Sequence, residues 1–208
     1  MLQPDTIEQE NHSFVLTAFQ ALGNIGNPVA LDFLHQQLQN LTKQKQTWRI
    51  KQRDVDIPEQ SLTQIQDCAT SPTFNSDNLW QKSQWETELG YAIAQIDPEK
   101  AGIELLFHDL ANVRKGAWLA IGKTGKVEIV KTLIEKRRNS KPYQAHFRHA
   151  AYRAIDNSLM IIERLGGEEE LRVLHKLFKA VKHAGIKARL EWTILFLEQR
   201  INPSSTAD

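Results

Sequence analysis

Cysteine occurs once in 208 residues, at Cys68. A single thiol makes no internal disulfide, which removes the stapled secreted scaffold as a fold class and fits a reducing compartment. Nothing local to Cys68, such as a Gly-rich elbow, supports a thiol nucleophile, so it reads as incidental. Glycine (10) and proline (7) are sparse, which argues against a turn-dense β-sandwich and for long helices with few connections. Long apolar runs are also missing, since no stretch approaches the roughly 20 residues of a membrane span. Met1-Leu2-Gln3-Pro4-Asp5 lacks the basic start and apolar run of a signal peptide. The expectation is a soluble, cytoplasmic chain with no membrane contact.

Excess charge of one sign is lacking as well, the net charge being +1. With 41% hydrophobic and 25% charged residues, the chain has ordinary globular composition, far from one that stays disordered. Its length corresponds to one domain, or one plus an extension. The near-zero total hides a gradient. Residues 1 to 104 carry 7 Lys/Arg against 14 Asp/Glu, a balance of −7, and residues 105 to 208 carry 19 against 11, a balance of +8. A chain polarised in this way can present one acidic and one basic surface.

What is present is a recurring break. Leu22-Gly23-Asn24-Ile25-Gly26-Asn27-Pro28, Ile96-Asp97-Pro98, Ile121-Gly122-Lys123-Thr124-Gly125 and Leu165-Gly166-Gly167-Glu168 each end one apolar helix and open another. Helical periodicity flanks every break: Val15, Ala18, Phe19 and Leu22, then Leu31, Leu34, Leu38 and Leu41. Trp85, Leu89, Ala92 and Ile96 answer Ile103, Leu106, Phe107 and Leu110. Val113, Ala117, Ala120 and Ile121 precede Ile129, Val130, Leu133 and Ile134. A longer helix over about 143 to 165 buries Phe147, Ala151, Ala154, Ile155, Ile162 and Leu165. It pairs with Leu171, Leu174, Phe178 and Val181, and a closing helix runs from about 186 to 201. No segment reads as a strand. Between residues 42 and 83 the pattern lapses into an insertion of loop with one or two short helices, one over 59 to 68. Residues 202–208 form a frayed tail.

Ala21-Leu22-Gly23-Asn24-Ile25-Gly26-Asn27-Pro28-Val29-Ala30-Leu31-Asp32-Phe33-Leu34 resembles the hairpin core of HEAT repeats, especially the short type named after phycobilisome lyases. Residues 92 to 106 and 119 to 133 look like degenerate copies. The stretch Arg148-His149-Ala150-Ala151-Tyr152-Arg153-Ala154-Ile155-Asp156 faintly resembles helical regions appended to bacterial NTPase signalling proteins. The resemblance covers about three quarters of the chain. It implies an all-α fold, a right-handed α-solenoid of three to four HEAT-like hairpins: the first over 1–41, the insertion over 42–83 and the main stack over 84–201. HEAT arrays serve mostly as interaction surfaces, and only a minority are enzymes.

Motifs for chemistry are weak. Gly122-Lys123-Thr124 suggests a phosphate loop, but Ala117 stands where the motif needs its first glycine, and a helix precedes it instead of a strand. A glycine C-cap between paired helices explains both Gly122 and Gly125. His146, His149, Arg153 and Asp156 continue one face of a helix and are able to converge on a partner, but zinc would need two further ligands. Arg189 and Trp192, three residues apart, suggest guanidinium stacking on indole.

The basic residues carry most weight. Lys136, Arg137, Arg138 and Lys141 form a positive run at a helix end, beside His146, Arg148, His149 and Arg153. Favourable interaction with the helix dipole accounts for part of this, at roughly 0.3–1 kcal/mol per charge. An anion-binding ridge accounts for the rest. These eight residues are the expected binding surface for an acidic protein partner, in a non-enzymatic scaffold with no cofactor, no metal and no catalytic residue. The charge gradient adds salt-sensitive self-association as an expectation.

Two alternatives stay open. The HEAT-like hairpin is similar to that of phycobilin lyases, which would imply a subunit acting on an open-chain tetrapyrrole. Helical-repeat glycosylases of alkylated DNA bases are a second, with Trp118, Trp192 and Glu191 as base-holding residues. A pI near 7.9 lies below the roughly 9 of a nucleic-acid domain.

Overall fold

Apolar residues recurring every three to four positions, with few glycines or prolines to interrupt them, can bury a stripe only as helix. The computed structural model describes residues 4–53, 76–141 and 143–203, with side chains over 13–43, 83–141 and 143–203. The elements are α1 (Pro4–Ile25), α2 (Ala30–Arg53), α3 (Ser76–Ile96), α4 (Ala101–Leu105), α5 (Ala111–Lys123), α6 (Val127–Asn139), α7 (Ala145–Leu165), α8 (Glu168–Ala180) and α9 (Ala184–Ile201). The described residues contain no strand, and none of their helices is long and apolar enough to cross a membrane. Helix α2 continues to Arg53 and α3 begins at Ser76, so helix occupies both edges of the stretch read as an insertion. The short helix expected over 59–68, with Cys68, lies outside the described residues.

The odd-numbered helices pack each on the next: α1 on α3, α3 on α5, α5 on α7 and α7 on α9. The even-numbered ones flank this row. Helix α2 rests on α3, α4 on α3 and α5, α6 on α7 and α8, and α8 on α9. One apolar cluster runs through the whole assembly, from Phe19 and Leu34 through Ile93, Ile121 and Phe147 to Leu190 and Leu197. Phe107, itself partly exposed, stacks on Phe147 with ring centroids 3.8 Å apart, tying the α4–α5 connection to α7. Leu165, expected in the core, is 81% exposed. It is the last residue of α7, and its side chain faces solvent, while Arg200 of α9 donates to the carbonyls of Glu163 and Gly166 on either side of it.

Glycines at the breaks divide into two roles, which corrects the reading of both as caps. Gly26 (φ +68°) and Gly125 (φ +59°) adopt the left-handed conformation that turns the chain after a helix. Gly23 and Gly122 remain inside their helices and face the next helix of the row. A Cβ on Gly23 would meet the Ala92 backbone at 3.0 Å, and one on Gly122 would collide with the Asn157 side chain. The same spacing, Gly-x-x-Gly, therefore supplies a close helix crossing followed by a sharp turn.

Side chains also start helices at the breaks. The Asp97 carboxylate accepts from the N–H groups of Lys100 (3.0 Å) and Ala101 (3.2 Å) at the head of α4. At α8 the Glu170 carboxylate accepts from the Gly167 N–H at 2.8 Å. That bond and one from its own N–H hold the Glu170 carboxyl below its ordinary pKa. A lowered folded-state pKa contributes stability above the ordinary carboxylate range and loses it as pH falls through the folded value. Glu170→Gln is thus expected to lower Tm at neutral pH, with the gap from the wild type closing on acidification. Melting both proteins between pH 7 and pH 3 checks this, and a gap that widens toward acid contradicts it.

Candidate interaction ridge

The basic ridge begins where α6 ends. Lys136, Arg137 and Arg138 occupy the last turn of α6, where cations favour the negative end of the helix dipole. Ser140 then terminates the helix in an extended conformation. Its hydroxyl donates to the Arg137 carbonyl at 2.7 Å, and its N–H reaches the same carbonyl. The Lys141 N–H donates to Gln144 Oε1 at 2.8 Å, which turns the chain into α7, and the Lys141 ammonium lies 5.9 Å from the Tyr143 ring centroid.

Helix α7 distributes the remaining predicted residues over two faces. His146, His149 and Arg153 are exposed. Arg148 points back toward α6 and is partly buried, its Nε and Nη2 donating to the Ser140 hydroxyl and carbonyl at 2.9 and 3.0 Å. Arg137 meets it there, also partly buried, with Nη2 3.0 Å from Nε2 of His183. Burial pushes the Arg137 guanidinium below its ordinary pKa, and the like charge of Arg148 acts in the same direction. Of the eight residues singled out, Arg137 and Arg148 converge, whereas Lys136, Arg138, Lys141, His146, His149 and Arg153 face solvent. None of the six makes an ion pair with a described carboxylate.

Asp156 leaves the expected His146–Asp156 face. It accepts from Arg189 Nε of α9 at 2.6 Å, while Arg189 Nη1 donates to Glu163 and to the Thr193 hydroxyl at 3.0 Å. Thr193 is fully buried and donates to Glu163 at 2.9 Å. Burial opposes the charge on Arg189, but the hydrogen bonds and charges of Glu163 and Asp156 hold its pKa above the ordinary value. The expected stacking of Arg189 on Trp192 is therefore replaced by this network, and the Trp192 side chain is 64% exposed. Two carboxylates in reach of a partly buried guanidinium outweigh a surface cation–π contact of about 0.5–1 kcal/mol.

The other motifs settle as structure. Lys123 ends α5, donates to the Tyr91 hydroxyl at 2.8 Å and lies over that ring. The Thr124 hydroxyl donates to the Ile121 carbonyl. Gly122-Lys123-Thr124 is thus a helix C-terminus. Trp118 packs on the core from α5, and Glu191 and Trp192 are exposed on α9, two helices further along the row. No group of three His, Cys, Asp or Glu with metal-binding proximity exists among the described residues.

Two features had no usable sequence signal. His183 stands 46 residues from Arg137; its only local mark is a polar residue before an apolar helix, the position of an N-cap. An open cavity of about 330 Å³ lies between α2 and the α4–α5 connection, lined by His35, Leu38, Thr42, Leu105 and His108. Burial pushes the His108 imidazole below its ordinary pKa, against the opposing charge of Asp109. Nearby, Glu86 is 4% exposed and accepts from the Asn112 amide at 3.0 Å, joining α3 to α5. No family model, no curated protein and no solved structure matches the chain.

Proposed function

We propose that this chain is a non-enzymatic helical-repeat adaptor, a short HEAT-like α-solenoid that holds an acidic protein partner along its basic C-terminal ridge. The observation that carries this reading is the ridge itself. Lys136, Arg138, Lys141 and Arg153 are exposed around the α6–α7 junction, and no described carboxylate pairs with them. The helix dipole accounts for Lys136 and Arg138 in part, but not for Lys141 and Arg153 beside them, whereas recognition of an acidic surface uses all four. The ordered row of odd-numbered helices supports the solenoid part, because each helix buries its stripe only against its neighbours, as repeats do.

The test is retention of associated proteins by the wild type and by a variant carrying Lys136→Gln, Arg138→Gln, Lys141→Gln and Arg153→Gln. Exposed charge pairs contribute about 0.2–1 kcal/mol each, so four together correspond to a loss of at least about fourfold in affinity. Retention should also fall with added salt, because the pairs are solvent-exposed. Equal retention by the variant and the wild type at every salt concentration would overturn the ridge as the binding surface.

A further inference from the structure

Three basic groups meet where the end of α6, the start of α7 and the N-cap of α9 come together. We propose that Arg137, Arg148 and His183 form a phosphoryl-binding site that receives a phosphorylated side chain of the partner protein. The proposal deepens the adaptor reading and rests on it for the source of the phosphoryl group.

The first ground is that no described carboxylate compensates Arg137, which only Tyr152 favours in its charged form. Arg137 and Arg148 face each other as like charges, and the carboxylates of α7, Asp156 and Glu163, are both committed to Arg189. A guanidinium with a buried nitrogen ordinarily has a carboxylate partner. Arg137 has none among the described residues, and its buried Nε–H finds no hydrogen-bond acceptor there.

The second ground is the hydrogen bonding of His183. Its Nδ1 accepts from the Ile186 N–H at 3.3 Å, as the N-cap of α9. An imidazole that accepts at Nδ1 donates from Nε2. Nε2 lies 3.0 Å from Arg137 Nη2, also a donor, so two N–H groups face each other without an acceptor. One oxygen of an oxyanion placed beside the pair accepts from both and removes the conflict.

The third ground is rigidity. Ser140 holds Arg148 through Nε and Nη2, which fixes the plane of the guanidinium and leaves Nη1 free of described partners. The first turn of α9 adds the positive end of a helix dipole at the same corner. Two guanidinium groups and an imidazole suit a doubly charged tetrahedral phosphoryl group better than a carboxylate with one charge. The acidic first half of the chain and a pI near 7.9 favour a protein-borne phosphate over a nucleic-acid backbone.

Inorganic phosphate titrated calorimetrically into the full chain, at constant ionic strength, should bind saturably. Arg137→Gln and Arg148→Gln should each weaken it about tenfold or more. His183→Asn, which keeps an N-cap oxygen but loses the Nε2–H, should weaken it in the same direction. Arg138→Gln, with the same charge change on the exposed face, should leave it within about twofold. In phosphate-free buffer Arg137→Gln should melt at or above the wild type, since it removes a desolvated, unanswered charge; a lower Tm marks Arg137 as structural and overturns the site. Absence of saturable binding, or equal binding by Arg137→Gln, also overturns it.

Two further arms identify the source of the group. A degenerate phosphoserine peptide pool should bind more tightly than free phosphate, and its dephosphorylated twin should not bind. A single-stranded oligonucleotide that outcompetes the pool overturns the protein source. Loss of phosphate binding in Arg137→Gln, alongside unchanged partner retention by the four-site ridge variant, rejects the ridge reading and leaves the anion site standing.

Discussion

Arg189→Ala is expected to be the most damaging single truncation at the C-terminal end of the fold. Its guanidinium spans Asp156 and Glu163 of α7, and the three side chains retain 17%, 30% and 15% of their exposure. Removing the cation leaves two carboxylates and the buried Thr193 hydroxyl around an unfilled space. Breaking a buried pair costs about 3–5 kcal/mol, and the partial exposure of Asp156 places this case near the lower figure. For a chain of this size, that corresponds to a fall of roughly 6–12 °C in Tm. The informative control is the triple variant Arg189→Met, Asp156→Asn, Glu163→Gln, which removes the charges together. Uncharged replacement of a whole buried network is often close to neutral, so the triple variant should melt above Arg189→Ala. If the single variant is as stable as the wild type, α9 is held by its apolar face alone.

Gly116→Ala, one methyl group, should be worse still. A Cβ at Gly116 falls within 3.0 Å of the Thr87 carbonyl oxygen and the Tyr91 nitrogen of α3. Both are main-chain atoms inside a helix, so no rotamer change relieves the collision and the helices must separate. Overpacking costs about 1–3 kcal/mol, occasionally more, when side chains can adjust. Here they cannot, and at least about 3 kcal/mol is expected despite the roughly 1 kcal/mol that alanine gains over glycine in a helix. The facing residue, Gly90, is equally confined by the Val113 backbone of α5. Gly167→Ala is the matched control, because its nearest neighbour is Glu170 Oε2 at 3.6 Å and its backbone is extended. That change should cost less than about 1 kcal/mol. Urea denaturation midpoints rank the two; comparable midpoints would mean that the α3–α5 crossing loosens at little cost.

These two cases also mark how far the sequence alone carries. Helices α5 through α9 and the left-handed turns at Gly26 and Gly125 were legible, because periodicity and punctuation are local signals. The roles of Gly23 and Gly122 were not, since a glycine that caps and a glycine that admits a neighbouring helix look alike until the neighbour is known. Arg189 misled for the same reason. Trp192 is visible three residues away on the same helix, whereas Asp156 and Glu163 lie 33 and 26 residues back on α7. The charged run from Lys136 to Lys141 was plain, yet the point where Arg137 turns inward depends on His183, which no spacing rule connects to it.

The packing order of the helices bears on how the chain folds. Among the described helices, no extensive pair reaches beyond a second neighbour. Ordering α7, for example, needs only α5 and α6 before it, and α9 needs only α7 and α8. Loop-closure entropy is therefore met in small instalments, and chains built from short-range contacts fold fast. The approach of α3 to α1 and α2 is different, because Arg53 and Ser76 are further apart in sequence than the ends of any other consecutive described helices. On sequence separation alone, the N-terminal pair should join last, onto a C-terminal stack already formed.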